Sequence, residues 1–363
     1  MKIGIITFHR VINYGGVLQA YALQQVIKKI ATSDSEIEIV DYVNPHFQQQ
    51  YALISIKMFK HPRSLLMKLS LVNYKRQRNR KFNNFISKHV ILGKKKINKK
   101  DLNIECAKYD KLITGSDQVW NLECTGNDFT YFLEMECNAK KYSYAASFAI
   151  DELSSVYIDR IKENLKKYRR ISVREENGVA IVKDLLGKSV EVMPDPTFLI
   201  EAKQWRMLEE NPKVLPDKYN LIIQMGGSIE VLRKHVEKLS DNIPIVYINL
   251  AQKPIKGMIN ICMASPEEWL YIIDHAENII TNSFHGCIFS VLFHKSFYYE
   301  LTKGKNSNSR IVSLAKMLGL ENRNVERLYM NTKRETINYD EVEVKLKGLR
   351  QVAKQYLSEI IGE

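Results

Sequence analysis

Asn278-Ile279-Ile280-Thr281-Asn282-Ser283-Phe284-His285-Gly286 is the stretch whose reading decides the fold. Its apolar start reads as a short strand and its polar middle as a turn. The run that follows, Cys287–Phe293, reads as a buried helix. A helix beginning just past a strand end leaves unpaired N–H groups at the positive end of its dipole, which suits an anion. Ser283 would cap that helix and could donate to a phosphate or carboxylate. His285 would gain or lose a proton near neutral pH. Taken alone, the same residues are better read as a plain cap and a packed core histidine; the number of similar turns in the chain is what favours function.

Working outward, the strand–turn–helix order recurs from end to end. Strands are expected at Ile3–Phe8, Ile37–Tyr42, Lys111–Thr114, Lys141–Ala145, Arg170–Val173, Val190–Met193, Asn220–Gln224, Pro244–Ile248, Ile279–Thr281 and Ser296–Tyr299. Helices are expected at Gly15–Ile30, Ile158–Tyr168, Glu176–Leu186, Ile229–Lys238, Pro266–His275, Cys287–Phe293, Arg310–Leu318 and Tyr339–Ile360. In the first helix Leu18, Ala22, Val26 and Ile30 fall four apart on one face. Alternating β and α elements predict an α/β fold with parallel sheets covered by helices. A chain of 363 residues holds two such doubly wound domains. Their boundary is placed so that residues 1–160 form the first and 161–363 the second, with Asp151–Tyr168 as a charged linking helix. The last helix is expected to cross back onto the first domain.

In such sheets ligands bind beyond the carboxyl ends of the strands. The segments that follow the expected strands are His9-Arg10-Val11-Ile12-Asn13-Tyr14-Gly15-Gly16, Gly115-Ser116-Asp117-Gln118-Val119-Trp120-Asn121, Ala146-Ser147-Phe148, Arg174-Glu175-Glu176-Asn177-Gly178, Pro194-Asp195-Pro196-Thr197, Gly226-Gly227-Ser228 and the histidine turn. Glycines, small hydroxyls, amides and titratable groups gather at one edge of both sheets. That pattern predicts an enzyme with its cleft between the two domains.

Composition narrows the classes. The net charge of +13 is local: residues 42–100 contain no Asp or Glu, and the remainder is close to neutral. Apolar groups interleave with the bases, as in Leu65, Leu66, Leu69, Leu71 and Val72. The basic region 57–100 reads first as a contact for an anionic membrane and second as an ordinary solvated face. A nucleic-acid surface ranks last, because no nucleic-acid motif accompanies it. No apolar run reaches the length of a membrane span, and the N-terminus reads as a strand and not as a signal peptide. The expected location is the cytoplasm, peripheral at the inner face of the cell membrane. Five cysteines without Cys-x-x-Cys spacing read as reduced, packed thiols. The histidines lack ligand spacing, so no metal site is expected.

The chain resembles the polysaccharide pyruvyl transferase family from Met1 to about Leu357. The residues that carry the likeness are Asn13-Tyr14-Gly15 with Gln19-Ala20-Tyr21, Gly115–Asn121, Tyr144-Ala145-Ala146-Ser147-Phe148, Ser172-Val173-Arg174-Glu175, Asp195-Pro196-Thr197, Ser283-Phe284-His285-Gly286 and Asn308-Ser309-Arg310. The resemblance implies two Rossmann-like domains facing across a cleft, as in GT-B glycosyltransferases. It implies transfer of the pyruvyl group from phosphoenolpyruvate, a co-substrate and not a cofactor, onto a sugar as a ketal. The acceptor would be a lipid-linked precursor of a surface polysaccharide. Relatives commonly carry Asp where this chain has Asn282, so no acid role is assigned there.

Carried over residue by residue, the resemblance makes Arg174 the donor-binding arginine, with Arg310 and Ser283 beside it. It makes His285 the general acid that protonates the enol methylene carbon. Asp117 is the expected base for the sugar hydroxyl, with His9 as alternative. His9, Asn13, Tyr14 and Gln118 would hold the acceptor. Simpler roles compete: an ion pair for Arg174-Glu175, a helix cap for Asp117, a turn for Asp195-Pro196, and core packing for Trp120, Trp205 and Tyr14. Two other readings compete for the whole chain. One is a nucleotide-sugar-dependent GT-B glycosyltransferase; the other is a non-catalytic membrane-associated protein of glycan assembly.

Overall fold

The computed structural model describes residues 1–53, 65–239, 243–249, 254–302, 308–330 and 336–363. Two compact units divide the chain. Unit 1 comprises Met1–Ile56, Asn83–Leu199 and Gly348–Glu363; unit 2 comprises Lys57–Phe82 and Ile200–Lys347.

The elements of the first half are β1 (Lys2–Ile6), α1 (Tyr14–Ile30), β2 (Glu36–Ile39), α2 (Pro45–Gln50), α3 (Leu65–His89), α4 (Leu102–Cys106), β3 (Lys111–Thr114), α5 (Leu122–Thr125), β4 (Lys140–Ser143), α6 (Ile158–Leu165), β5 (Tyr168–Arg170), β6 (Ser172–Val173), α7 (Glu176–Leu186) and β7 (Glu191–Val192). Unit 1 holds a parallel five-stranded sheet in the order β2-β1-β3-β4-β5. The short parallel pair β6-β7 continues it through bridges from Asp117 to Ala146 and from Ala146 to Val173. Strand β1 is flanked on both sides, and Ile3, Ile5 and Ile6 are buried. This is why its sequence is a nearly unbroken apolar run instead of an alternating one.

The second half adds α8 (Ala202–Arg206), β8 (Asn220–Ile223), α9 (Ile229–Leu239), β9 (Ile245–Ile248), β10 (Ile259–Ile261), α10 (Pro266–Asp274), β11 (Asn278–Thr281), α11 (Phe284–Leu292), β12 (Ser296–Tyr299), α12 (Asn308–Leu318), α13 (Arg327–Met330) and α14 (Tyr339–Gly362). Unit 2 has its own parallel five-stranded sheet, ordered β10-β9-β8-β11-β12. Leu232, Val236 and Leu239 of α9 fall at helical spacing and pack on Ile222, Ile280 and Tyr298. Burying each such side chain stabilises the unit by roughly 1.5–3 kcal/mol.

Both sheets confirm the parallel α/β class. The domain boundary differs from the sequence expectation. Helix α6 belongs to unit 1, which continues to Leu199, because β5, β6 and β7 extend the first sheet after that helix. An amphipathic, charged helix followed by strands only two or three residues long looks like a linker in sequence. The last helix does change units. Lys345 Nζ donates to Leu318 O within unit 2. Farther along, Tyr356 donates to Ser143 O at 2.9 Å, and Lys111 Nζ caps the helix end at Ile360 O and Ile361 O.

The sequence also missed α3 and β10. In α3, Tyr74 and Lys81 bond Cys262 O and Glu268 of unit 2, whereas Phe85 packs on Tyr21 of unit 1. Lys57, Lys60 and Arg63 of the basic region lie outside the described residues. No helix among the described residues is long and apolar enough to cross a membrane.

Candidate functional site

Each sheet reverses its winding once. In unit 1 the reversal lies between β1 and β3, so the loops after those strands meet at the carboxyl edge. Asn13 caps α1 there, its Oδ1 accepting from Gly16 N at 3.0 Å. Gly16 has no room for a side chain: a Cβ would lie 2.8 Å from Val11 Cγ2 and 3.6 Å from Asp117 Oδ2. Asp117 therefore sits against the first turn of α1. Its own backbone is left-handed, with φ of 71°, a conformation costly for a residue with a side chain.

Arg174, 4% exposed, organises the rest of this edge. Its Nη1 donates to Asp195 Oδ2 at 2.9 Å and its Nη2 to Asp117 Oδ1 at 3.3 Å; Nε lies 3.8 Å from Glu175 Oε2. Burial works against its charge, but Asp117, Asp195 and Glu175 overcome that and raise its pKa. Asp195 Oδ1 also accepts from Thr197 N and Oγ1, and Glu175 Oε1 from Ser147 Oγ and Ala149 N. A guanidinium enclosed by three carboxylates is poorly placed to receive a further anion. Arg174 belongs to unit 1 and His285 to unit 2. Within unit 1 the guanidinium holds Asp117.

His9 is 3% exposed, with Nδ1 3.2 Å from Thr7 O and Nε2 3.1 Å from Asp41 Oδ1. Both ring nitrogens are engaged inside the unit. Arg10 grips the same Asp41 with two bonds, at 2.5 and 2.6 Å. Burial alone would raise the Asp41 carboxyl, yet hydrogen bonds from His9 and Arg10 hold it well below the usual range. Asn13 and Gln118 remain half-buried at this edge, and Tyr14 packs inside α1.

In unit 2 the reversal lies between β8 and β11, and the histidine turn follows β11. Thr281, Asn282 and Ser283 hold the turn together. Thr281 Oγ1 donates to Ile223 O and accepts from Ser283 N, both at 2.9 Å. Asn282 Oδ1 accepts from Met225 N at 2.6 Å, while its Nδ2 donates to Gly226 O at 2.9 Å and to Thr302 Oγ1 at 3.2 Å. An aspartate could not donate to that carbonyl, so the amide at position 282 fits this chain's glycine turn. Ser283 Oγ accepts from Gly286 N at 3.2 Å, and its own hydroxyl proton can still be given to a ligand. A side chain at Gly286 would put Cβ 2.5 Å from Thr281 Oγ1, so only glycine lets the helix start this close to the strand.

His285, on the first turn of α11, is 7% exposed, and its ring stands edge-on to Phe284 at 5.3 Å. The Arg310 guanidinium lies 5.5 Å from the same Phe284 ring. Ser283, His285 and Arg310 thus come together at one helix N-terminus whose first turn contains no acid. That combination suits a small anion. Cys287 is buried, and burial pushes its thiol far up, as for a packed core cysteine. Trp120 and Trp205 are fully buried core residues, as expected.

Among the described residues one group brings three ligand-type atoms within 4.8 Å: Glu209, Asp274 and His275. Arg206 holds both Asp274 oxygens, at 2.7 and 3.0 Å, and the group precedes β11 instead of following it. It is not part of the carboxyl edge.

Sequence reasoning missed Asp195 and Glu175 as members of the unit 1 network. Their signals were position after strands and membership of the family's motifs, and a turn or a surface ion pair explains the first equally well.

Two parallel five-stranded sheets, one in each unit, define a two-unit α/β protein. The family model for polysaccharide pyruvyl transferases matches residues 13–299, and the chain belongs to that family. It is accordingly a transferase of polysaccharide chemistry. His9 precedes the matched segment and Arg310 follows it. No curated protein sequence matches the chain.

Solved structures similar to it include UDP-GlcNAc 2-epimerase from Methanocaldococcus jannaschii, at 14% identity and a TM-score of 0.48, covering 96% of this chain and 99% of that one. Another is S. aureus MnaA with UDP, at 13% identity and a TM-score of 0.49, covering 91% and 86%. E. coli heptosyltransferase WaaC with ADP follows at 13% identity and 0.39, covering 85% and 90%. Likenesses this distant say nothing of what this chain binds.

Proposed function

We propose that this protein moves the pyruvyl group of phosphoenolpyruvate onto a sugar of a lipid-linked surface-polysaccharide precursor, forming a pyruvate ketal. The observation that carries this reading is the meeting of Ser283, His285 and Arg310 at the N-terminus of α11. Phosphoenolpyruvate presents a phosphate and a carboxylate. The phosphate would take the Ser283 hydroxyl at the positive end of the α11 dipole, and Arg310 would take the second anionic group. His285 would give its proton to the methylene carbon, which leaves an oxocarbenium-like carbon. A sugar hydroxyl adds there and loses its proton to a base. A second hydroxyl then displaces phosphate and closes the ketal.

Asp117 is the proposed base. Its Oδ1 is fixed by Arg174, and its Oδ2 faces the first turn of α1. Asn13 and Gln118 at the same edge would contact the acceptor. A membrane-bound acceptor accords with the exposed Arg76 and Arg80 of α3, within the acid-free stretch 42–100. The protein would then work peripherally at the inner face of the cell membrane.

The test is phosphate release from phosphoenolpyruvate with lipid-linked oligosaccharide, followed by mass spectrometry of the glycan. Phosphate release together with a gain of one pyruvyl mass supports the reading. Tight uridine diphosphate binding with no response to phosphoenolpyruvate replaces it with a nucleotide-sugar glycosyltransferase. No turnover with either donor points to a non-catalytic role in glycan assembly.

A further inference from the structure

A cavity of unit 1 lies at the edge opposite Asp117 and Arg174. Its walls are the residues that precede β5 and β7, the ends of α6 and α7, and Tyr356 of α14. It encloses about 700 Å³, enough for a nucleotide or a sugar phosphate. Five basic side chains line it against two acidic ones, Asp184 and Glu191.

Two of the five bases are already engaged. Arg170 is bonded to Glu359, lies 3.8 Å from Glu191 and stacks over the Tyr356 ring. Lys166 pairs with Glu163 at 2.7 Å. A third, Lys162, stands in the last turn of α6, where a cation offsets the negative end of the helix dipole. The dipole argument does not extend to Arg169. It projects from a strand and is exposed, and no ion pair to it is found among the described residues. Lys188 is likewise exposed and without an ion pair among the described residues, two residues past the end of α7. Leu165, Leu186 and Val190 supply apolar wall between these charges. Uncommitted cations around a concave, partly apolar space are the features of a site for an organic anion.

We propose that this crevice is a second ligand site, which takes a phosphorylated small molecule: phosphate on Arg169 and Lys188, the uncharged part on the apolar wall. It sits at the amino edge of the sheet, so its occupant would not take part in pyruvyl transfer. The inference stands whatever reaction unit 2 performs.

Calorimetric titration of the full chain with inorganic pyrophosphate tests it, in the wild type, in Arg169→Glu with Lys188→Glu, and in Ser283→Ala. Both reversed residues are exposed, so the double variant should fold; an unchanged circular dichroism spectrum and melting point check this. The expected result is saturable binding that the double reversal weakens by about tenfold or more and that Ser283→Ala leaves in place. The double variant should also retain phosphoenolpyruvate-dependent phosphate release. No binding, or binding equal in the double variant, overturns the proposal. Binding lost only with Ser283→Ala overturns it too, and assigns the anion to α11. Failure of phosphoenolpyruvate turnover in the wild type, with pyrophosphate binding intact, would fall on the proposed function alone.

Discussion

The carboxyl edges of the two sheets share an architecture and differ in what they do with charge. Both follow a five-stranded parallel sheet with one reversal, and both place a helix N-terminus at the crossing point. In unit 1 the charges are spent internally: one guanidinium on three carboxylates, and one buried aspartate on a histidine and an arginine. In unit 2 the turn is held by neutral hydroxyls and an amide, and no acid occupies the first turn of the helix. Topology provides the same place twice. Side-chain chemistry makes one a network of paired charges built around a carboxylate and leaves the other with neutral groups, which is why it is the proposed receptor for an anion.

The largest expected effect comes from breaking the receptor. His285→Ala should lower turnover by about 10²–10⁴-fold or abolish it, with the melting temperature nearly unchanged. A near-normal rate in a steady-state phosphate-release assay would remove the histidine from the mechanism. Breaking the network should act differently. Arg174→Met leaves Asp117, Asp195 and Glu175 buried together without their cation, at a cost of about 3–5 kcal/mol in urea unfolding. Unchanged stability would mean that the arginine is free for ligand after all.

Asn282→Asp probes the neutrality of the unit 2 turn. It faces a carboxylate with Gly226 O and removes a donor, so about 1–3 kcal/mol of stability should be lost. A neutral outcome in chemical denaturation would show that the turn tolerates charge.

The pH dependence sharpens the contrast from the other side. Asp41 has a folded pKa below its unfolded value, so its contribution is complete above the ordinary carboxylate range. That contribution is lost as pH falls below this range toward the depressed folded pKa. Asp41→Asn should therefore be less stable than wild type at pH 7, and the gap should begin to narrow only as pH falls below the ordinary carboxylate range. A gap independent of pH would assign the loss to packing. A separate effect is expected outside both edges. Reversing Arg76, Arg78 and Arg80 should weaken binding to phosphatidylserine vesicles by roughly 1 kcal/mol per charge near the surface, read by sedimentation. Unchanged binding returns α3 to an ordinary solvated face.

Much of this was legible in the chain. Lys111–Thr114, Ser296–Tyr299 and Glu176–Leu186 have the bounds that periodicity gives them. The histidine turn lies between strand and helix, as its residues require. Its helix begins at Phe284, before the expected Cys287, because Ser283 supplies the cap. The unit boundary was not legible, although β6 and β7 fall inside the expected strands Arg170–Val173 and Val190–Met193. With two residues each, their pairing with each other could not be read from any period.

The sequence by itself determined the parallel α/β class, the family and the chemical inventory of the strand ends. Those depend on neighbours within one turn of helix or one strand, where spacing dictates which residues share a face. Only the tertiary structure decided how that inventory is spent. Arg174 lies 57 residues from Asp117 and 21 from Asp195 along the chain, and Asn282 lies 56 from Gly226. Nothing in local spacing reports which buried charges and amides will be paired. The sheets bring those strand ends together, and the cost of leaving any of them unpaired settles which ones remain for a ligand.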